Sequence, residues 1–507
     1  MKHINIISCF IMVGGITHGQ APVGIFQDHA DIGNPKLSGS TTYDETTQTY
    51  TLQGAGYNIW FGRDEFQYAY KKIVGDFILT ANFAFTDAGT DPHRKIGWML
   101  RSALEPDAAH CSAVLHGDGL TVLQWRLLKG AFMRDPEDEL FSTKKNYSVL
   151  QLERAGKTIT FRAAHTGEPL QWIGSTQMES LKDSVYAGLF IGSHNEKNKE
   201  EAKVWNVRID QPVPKDYNPD KSGYIGCRLE ILDVSNGHRK VIHESKTRFE
   251  APNWMPDGKK LLFNENGSLY TIPIEGGTQE KVNTGMADHL NNDHGISFDG
   301  KMLAISHHRQ GLPGGGSTVF VLPLQGGEPK LLTDKTPSYW HGWSADSKEV
   351  AFVGMRDGKY YNIFTIPVKG GTEKVLTENK GWHYDGPEYS RDGKYIYYNG
   401  SESGTMQIWR MKPDGSGKEQ LTFDESNNWF PHISPDGKWM AFISFPPTVE
   451  VSSHPSYKQV QLRLMPLTSA GGPKTIAYLY GGQGTINVPS WSPDGKYIAF
   501  VSNSKKY

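Results

Sequence analysis

The chain has 507 residues, of which 37% are hydrophobic and 21% are charged, and its formal net charge is −2. A chain of this length exceeds one ordinary hydrophobic core, so we expect two or more domains. The near-neutral charge excludes a global basic field that would attract nucleic acid or an anionic membrane surface. The abundance of glycine (55 residues) and of aromatic residues (11%) favours short strands joined by tight turns.

The first twenty residues have the pattern of a secretory signal. A short basic start, Met1-Lys2-His3, precedes a largely apolar run from Ile4 to Ile16, and small or polar residues follow. The run is too short to span a bilayer. We therefore expect residues 1–20 to be a cleaved signal peptide, which predicts a periplasmic or secreted protein without a membrane-inserted segment.

Residues 25–210 show short alternating runs separated by turns at regular intervals, such as Phe77-Ile-Leu-Thr-Ala-Asn-Phe and Thr158-Ile-Thr-Phe-Arg. Alternation of apolar and polar residues is typical of strands with one buried face. The pattern predicts a jelly-roll-like β-sandwich. Residues 211–222 are rich in proline and charge, which predicts a linker to the rest of the chain.

Residues 223–507 contain six copies of one pattern. Each copy is built around Asp-Gly-Lys or a close variant, and alternating apolar residues follow it. Asp-Gly favours a hairpin turn because such turns need positive φ. The aspartates recur at intervals of 42 to 58 residues, which fits a propeller blade of four strands; they are Asp257, Asp299, Asp346, Asp392, Asp436 and Asp494.

The ends of this repeat array also fit a ring. The last copy ends after only two strands, whereas two predicted strands, near Tyr224 and Lys240, precede the first copy. Pairing these with the C-terminal strands would complete a sixth blade. We therefore predict an all-β protein, in which the sandwich is followed by a six-bladed β-propeller closed by its N- and C-terminal strands.

The repeats, of the form Trp491-Ser-Pro-Asp-Gly-Lys, resemble those of TolB-like propellers of the PD40 type along all six copies. The preceding region is similar to concanavalin- or laminin-G-like sandwiches at Tyr57-Asn-Ile-Trp-Phe-Gly and at Lys95-Ile-Gly-Trp-Met-Leu-Arg. TolB works through protein contacts in the periplasm, and sandwiches of this type often bind or cleave glycans. The resemblance therefore implies a protein or a carbohydrate partner.

Residues just ahead of the inner strand of each blade are expected to line one mouth of the ring. Three histidines, His294, His341 and His432, fall at nearly equivalent positions there, and Gln483 lies in the corresponding segment of the last repeat. Imidazole nitrogens and oxygen ligands together suit a divalent metal. As a hypothesis, these four residues hold an axial Mn, Ca or Zn ion. An axial ligand site without metal and a structural, water-filled axis are the alternatives.

Oligogalacturonate lyases are also TolB-like propellers, and they hold an axial metal with His and Gln. In these enzymes a base removes the C5 proton of an acidic sugar. That resemblance implies His289 or His383 as the base. Other polar and aromatic residues of the mouth segments are predicted to bind a ligand: Asp293, Trp340, Asp385, Asn428 and Asn487.

Three residues of the predicted sandwich, Trp60, Trp98 and Arg101, combine aromatic faces with charge. Sugars stack on such faces, so we predict these residues as ligand-binding; packing in the sandwich core is the alternative.

Three functions are compatible with these patterns. The first is an exported carbohydrate-associated binding protein, in which the sandwich recognises a glycan and the propeller axis binds a ligand or partner. The second is a metal-dependent lyase that acts on uronate-containing glycans at the propeller axis. The third is a TolB-like periplasmic scaffold for protein interactions. Carbohydrate is the expected partner under the first two hypotheses and a periplasmic protein under the third, with no role for nucleic acid.

Overall fold

The computed structural model describes residues 22–378 and 381–504. The predicted signal peptide lies outside these residues. The first part of the described chain consists of strands joined by turns. Their bounds are β1 Asp28–Ile32, β2 Ser40–Asp44, β3 Thr49–Gly56, β4 Phe66–Val74, β5 Phe77–Phe85, β6 Lys95–Arg101, β7 His110–His116, β8 Thr121–Arg126, β9 Glu139–Phe141, β10 Val149–Ala155, β11 Thr158–Ala164, β12 Gln171–Gln177, β13 Ser184–Gly192 and β14 Asn195–Asp210.

These strands form two seven-stranded antiparallel sheets. The strand orders are β1-β4-β13-β6-β7-β8-β9 and β12-β11-β10-β5-β14-β3-β2. One hydrophobic core draws side chains from both sheets, including Leu79 and Phe83 of β5 and Ile96 and Trp98 of β6, all nearly inaccessible to solvent. Successive side chains of a strand point to opposite faces of its sheet, so alternate residues contribute to this core. The region before the repeats is therefore rich in β-structure, as predicted.

The second part begins with a short helix, α1 Pro219–Ser222, and contains a single 3₁₀ turn at Gly314–Gly316 among the described residues. Its strands are β15 Cys227–Asp233, β16 Arg239–Ser245, β17 Phe249–Trp254, β18 Lys260–Glu265, β19 Ser268–Pro273, β20 Glu280–Lys281, β21 Leu290–Ile296, β22 Met302–His308, β23 Ser317–Pro323, β24 Lys330–Leu331, β25 Ser338–Trp343, β26 Glu349–Met355, β27 Tyr361–Pro367, β28 Lys374–Val375, β29 Tyr384–Tyr389, β30 Ile396–Gly400, β31 Gln407–Met411, β32 Glu419–Gln420, β33 Asn427–Ile433, β34 Trp439–Phe445, β35 Lys458–Pro466, β36 Lys474–Gly481 and β37 Tyr497–Asn503.

These strands form the six blades of a propeller. Five blades are four-stranded antiparallel sheets, each made of consecutive strands, and they begin at β17, β21, β25, β29 and β33. The sixth sheet has the order β16-β15-β37, so its strands come from the two ends of the repeat array. In this sheet Trp491 also bridges Ile498, at the place that the innermost strand has in the other blades. The predictions of an all-β protein and of a six-bladed propeller are confirmed.

The repeated Asp-Gly-Lys motif forms the turn after the innermost strand. In one copy Ser297 Oγ donates to Asp299 Oδ1 at 2.7 Å, and the backbone N–H of Lys301 donates to the same carboxylate oxygen at 3.1 Å. Gly300 between them has φ of 69°, which glycine adopts without steric cost. Both bonds recur in four of the other turns, for example at Asp436. In the first copy, where Met255 replaces the serine, the backbone N–H of Lys259 still donates to Asp257.

A buried charge network joins the N-terminal sheets to the sixth blade. Glu230 of β15 is fully buried and pairs with Arg208 of β14 at 2.7 Å and with Arg239 of β16 at 2.9 Å. Beside it, Arg228 of β15 pairs with Asp210 of β14 at 2.6 Å. Buried ions are tolerated only when they are paired. These buried ion pairs therefore hold the end of β14 against the sixth blade.

Within the described ranges, no helix is both long enough and apolar enough to cross a membrane.

Candidate binding site at the propeller axis

A cavity of about 580 Å³ opens at one end of the propeller axis. Each of the five innermost strands β17, β21, β25, β29 and β33 contributes to its wall, and the segment before β37 completes the ring. The lining side chains that carry charge or hydrogen-bonding groups include Arg248, Glu250, Asn264, Asp293, Tyr339, His341, Tyr361, His383, Asp385, His454, Gln483 and Asn487. Its size and polar wall are typical of a site for a ligand rather than of a packing defect.

A β-bulge in every innermost strand determines which side chains face this cavity. The pairing register shifts after Glu250 in β17, after Leu290 in β21, after Trp340 in β25, after Asp385 in β29 and after Trp429 in β33. One extra residue, as in β17, β25, β29 and β33, reverses the alternation of side chains along a strand, whereas β21 has two extra residues between Leu290 and His294. Such bulges are common beside binding sites. Polar residues just before or within the bulges thereby reach the cavity, while the strand ends beyond them pack between blades.

His341 and Asp385 form a buried ion pair across two neighbouring blades. His341 Nε2 lies 2.9 Å from Asp385 Oδ1, and both side chains are nearly inaccessible. Burial acts to lower the pKa of His341, but the Asp385 carboxylate, together with Asp293 and a backbone hydrogen bond at Asn487, raises that pKa above its usual value. Burial would likewise raise the pKa of Asp385, but the facing imidazolium lowers it to about 2. Each group of the pair therefore favours the charged form of the other.

Asp293 has a different environment in the same cavity wall. Its side chain accepts a hydrogen bond from Asn291 Nδ2 at 2.8 Å, and the residue is only 6% exposed. Burial raises its pKa to about 7; His341 opposes that rise, and repulsion from Asp385 and Glu250 adds to it. Glu250 has a cationic partner of its own, because Arg248 Nη2 lies 2.5 Å from its carboxylate. Asp293 makes no ion pair within the part of the chain that the structure describes.

Two of the four predicted metal ligands line the cavity, and two do not. His341 and Gln483 are in its wall. Both ring nitrogens of His432 are engaged elsewhere, since Nδ1 lies 2.6 Å from Glu388 Oε2 and Nε2 lies 2.6 Å from the carbonyl oxygen of Ile486. His294 is buried within its blade, which lowers its pKa to about 4. The predicted four-residue ligand set is therefore not brought together.

The described residues contain no group of three His, Cys, Asp or Glu side chains placed to hold a metal ion. The physical reason lies in the bulges. His341 falls within the bulge of β25, whereas His294 and His432 are the first paired residues after the bulges of β21 and β33. Histidines at nearly equivalent positions of the repeats therefore do not all direct their side chains into the cavity.

The two predicted catalytic histidines also separate. His383 lines the cavity. His289 is outside it on the rim, where its side chain is 60% exposed and lies 3.8 Å from Asp288. His289 and His383, the two candidates for the base, therefore do not occupy equivalent places at the cavity.

Of the residues predicted to bind a ligand at the axis, Asp293, Asp385 and Asn487 line the cavity. Trp340 is fully buried and packs on Gly295 of the preceding blade, within a core cluster. Asn428 is fully buried inside its blade, where it donates to Gln407 Oε1 at 3.1 Å. Trp340 and Asn428 therefore support the blades and do not reach the axial ligand space.

The three residues predicted to bind sugar in the N-terminal region are not displayed together. Trp98 has no exposed surface and donates to the carbonyl oxygen of Leu150 at 3.3 Å. Arg101 is fully buried and pairs with Asp64 at 2.7 Å. Trp60 is half-buried in a loop between β3 and β4. Trp98 and Arg101 therefore lie in the interior, because β6 is covered on both faces.

His454 is a cavity residue that the sequence analysis missed. It lies in the connection between β34 and β35, 3.8 Å from Asp385 Oδ2, and burial lowers its pKa. The interval from Asp436 to Asp494 is the longest in the repeat array. That extra length was a signal that this blade carries an inserted loop, and the loop reaches over the mouth of the ring.

The six blades and the polar cavity at one end of their axis place the chain among β-propeller proteins with an axial site. A family model described as the TolB beta propeller domain matches residues 315–470. An uncharacterized protein of Agrobacterium fabrum is 43% identical over 280 residues, which cover 55% of this chain and 93% of that protein. The chain therefore belongs to the TolB-like β-propeller family.

One solved structure agrees with this assignment. A protein of Agrobacterium tumefaciens, provisionally described as TolB, is 43% identical with a TM-score of 0.52, and the match covers 55% of this chain and 99% of that one. TolB of Acinetobacter baumannii is 14% identical with a TM-score of 0.36, covering 70% of this chain and 79% of that one. The second likeness is too distant to carry any inference about function.

Proposed function

We propose that this protein is a TolB-like periplasmic scaffold that binds another protein through the axial cavity of its propeller. The observation that carries the proposal is the family membership of the propeller, which extends over nearly the whole length of its 43% identical relative. TolB-like propellers act through protein contacts in the periplasm. The third of the three hypotheses from the sequence therefore has the best support.

The cavity supplies the contact surface in this proposal. Its volume of about 580 Å³ exceeds what a single ion needs and suits a short segment of a partner chain. The proposed binding residues are those predicted side chains that line it, namely His341, His383, Asp385, Gln483, Asn487 and Asp293. Carboxylate, imidazole and amide groups on converging strands offer donors and acceptors to the side chains and backbone of a bound segment.

The proposal includes a domain division. Residues 1–20 act as the export signal, residues 25–210 form a concanavalin-like sandwich of the jelly-roll type, and residues 211–222 connect it to the propeller at 223–507. Pairing of β15 with β37, from Cys227↔Asn503 to Asp233↔Tyr497, closes the ring in this account. The shared core of the two N-terminal sheets supports the sandwich assignment.

The two other hypotheses have less support. Glycan recognition by the N-terminal sheets relied on Trp98 and Arg101, which lie in the interior. Metal-assisted lyase chemistry relied on His294 and His432 as ligands beside His341, and these residues face away from the cavity or are bonded elsewhere.

Site-specific photo-crosslinking in the native host tests the proposed function. A benzophenone amino acid replaces Ser452, which is exposed and lines the cavity mouth, or Lys301, which is exposed in a turn at the opposite end of β21. We expect a discrete protein adduct from the periplasmic fraction with the probe at Ser452 and none with the probe at Lys301. A cytoplasmic location, or the same adducts at both positions, would overturn the proposal.

A further inference from the structure

Asp293 is the one carboxylate in the axial wall that makes no ion pair among the described residues. Asp385 pairs with His341 at 2.9 Å, and Glu250 pairs with Arg248 at 2.5 Å. Asp293 has only the neutral side-chain amide of Asn291 as a hydrogen-bond donor to its carboxylate. It is 6% exposed, and that remaining surface lines the cavity. A buried carboxylate without a partner is costly, so its retention needs a reason.

The surroundings of Asp293 suit a cation better than an anion. Asp385 and Glu250 both act to raise its pKa, and His341 of the adjacent strand β25, which acts to lower it, is already paired with Asp385 at 2.9 Å. Tyr339 in the adjacent blade also lines the cavity, and its ring offers a face over which a cation can lie. The wall around Asp293 therefore combines a charge to neutralise with an aromatic surface.

We propose that the axial cavity binds a lysine or arginine side chain of the partner segment, with Asp293 as its counter-ion. This inference rests on the proposed protein-binding function and specifies the chemistry of the partner. A charge-assisted hydrogen bond between an ammonium or guanidinium group and a buried carboxylate is shorter and about twice as strong as a neutral one. The cavity has room for the neighbouring residues of the segment, whose backbone can bond with Asn487 and Gln483.

Proton linkage gives this inference a distinctive signature. In the empty cavity, burial raises the pKa of Asp293 to about 7. A bound cation favours the ionised carboxylate, so binding at neutral pH releases a proton. For a ligand that stays charged, affinity is expected to be about tenfold weaker at pH 6 than at pH 8. The groups that face Asp293 are Glu250 on β17, Tyr339 and His341 on β25 and Asp385 on β29.

Other groups of the cavity also titrate, so a charge-removing variant is needed to isolate Asp293. His341 has a raised pKa, and the pKa of His454 is lowered by burial. Asp293→Asn keeps the shape of the side chain and leaves these histidines in place. Asp288→Asn is the matched control, because Asp288 precedes the same strand but is 72% exposed outside the cavity.

Calorimetric titration of the full chain tests the inference. The probes are acetylated and amidated Gly-Lys-Gly and Gly-Arg-Gly, with the central residue replaced by norleucine or glutamate in the neutral and acidic controls. We expect the basic probes to bind at least about tenfold more tightly than the neutral one. Their binding should weaken at pH 6 and release protons, as shown by two buffers of different ionisation enthalpy. Asp293→Asn should lose the preference and the pH dependence, and Asp288→Asn should keep both.

Several results would overturn the inference. These are equal binding of basic and neutral probes, preferential binding of the acidic probe, absence of any binding by the basic probes up to about 10 mM, and unchanged binding in Asp293→Asn. Circular dichroism establishes that each variant is folded, and Asp293→Glu, which keeps the charge, should retain the preference for basic probes. If the cavity crosslinks to a partner but charge has no effect, only this inference fails; if no partner is crosslinked there, the proposed function fails.

Discussion

Replacing Asp293 with asparagine is expected to stabilise the unliganded protein at alkaline pH. The wild-type carboxyl is buried, and burial raises its pKa from 3.8 to about 7. Above that value the folded state must hold an ionised carboxylate where its surroundings disfavour the charge. The amide that replaces it carries no charge and can still accept the hydrogen bond from Asn291. The variant therefore removes a cost of folding while it leaves the packing of β21 intact.

The size and sign of the effect follow from linkage. The folded-state pKa of Asp293 is raised above the unfolded value, so wild-type stability falls as pH rises from about 4 to about 7 and then levels off. Each pKa unit corresponds to about 1.4 kcal/mol, so the shift of about three units gives an upper value of about 4 kcal/mol at pH 8. Near pH 4 the variant and the wild type should have nearly equal stability.

Urea unfolding at a series of pH values between 4 and 8 measures this difference. The free energy of unfolding of Asp293→Asn should exceed that of the wild type increasingly with pH, whereas Asp288→Asn, altered at an exposed carboxylate, should follow the wild type. A difference that does not change with pH, or a less stable Asp293→Asn protein at pH 8, would refute the reasoning about the buried charge.

Three further predictions concern the framework. Glu230→Gln leaves two buried arginines without their shared counter-ion and should lower the free energy of unfolding in urea by about 3–5 kcal/mol. Glu280→Gln, at an exposed ion pair, should change that free energy little. Equal effects of the two substitutions would contradict the burial argument. Gly295→Ala places a methyl group 2.0 Å from the Trp340 ring and should lower stability by about 1–3 kcal/mol; an unchanged midpoint would contradict that packing. Residues 223–507 expressed alone should unfold cooperatively at a lower urea concentration than the full chain, and absence of a cooperative transition would contradict the proposed domain division.

The propeller could be predicted because its signal is local and repeated. The bonds from Ser434 Oγ to Asp436 and from the backbone of Lys438 to the same carboxylate lie within one turn. A pattern that encodes its own turn is visible in the sequence at every copy, and even Ser347, which replaces glycine in one copy, adopts the same positive φ of 58°. The number of blades then follows from counting.

The site was predictable only in part, because side-chain direction at the axis depends on the bulges. The sequence located the mouth segments, and Asp293, His341 and Asp385 are there. It did not distinguish His341 from His432, since a bulge reverses the alternation at a position that local propensity does not mark. In the N-terminal sheets, the sequence around Trp98 resembles that of an exposed aromatic residue on which a sugar can stack. Both faces of β6 are covered by the rest of the fold, which local sequence does not reveal.

Two of the buried carboxylates of the propeller, Glu230 and Asp293, show how structural and binding charges differ in one fold. Glu230 accepts hydrogen bonds from two arginines and from Ser502, so every part of its charge is compensated within the chain. Asp293 is almost as buried but has one neutral donor. The fold places arginines beside Glu230 but, among the described residues, none that pairs with Asp293. A buried carboxylate without an ion pair does not stabilise the protein. The unmatched charge is at the open end of the axis, where a partner can supply the missing cation, and it is there that binding can stabilise the protein.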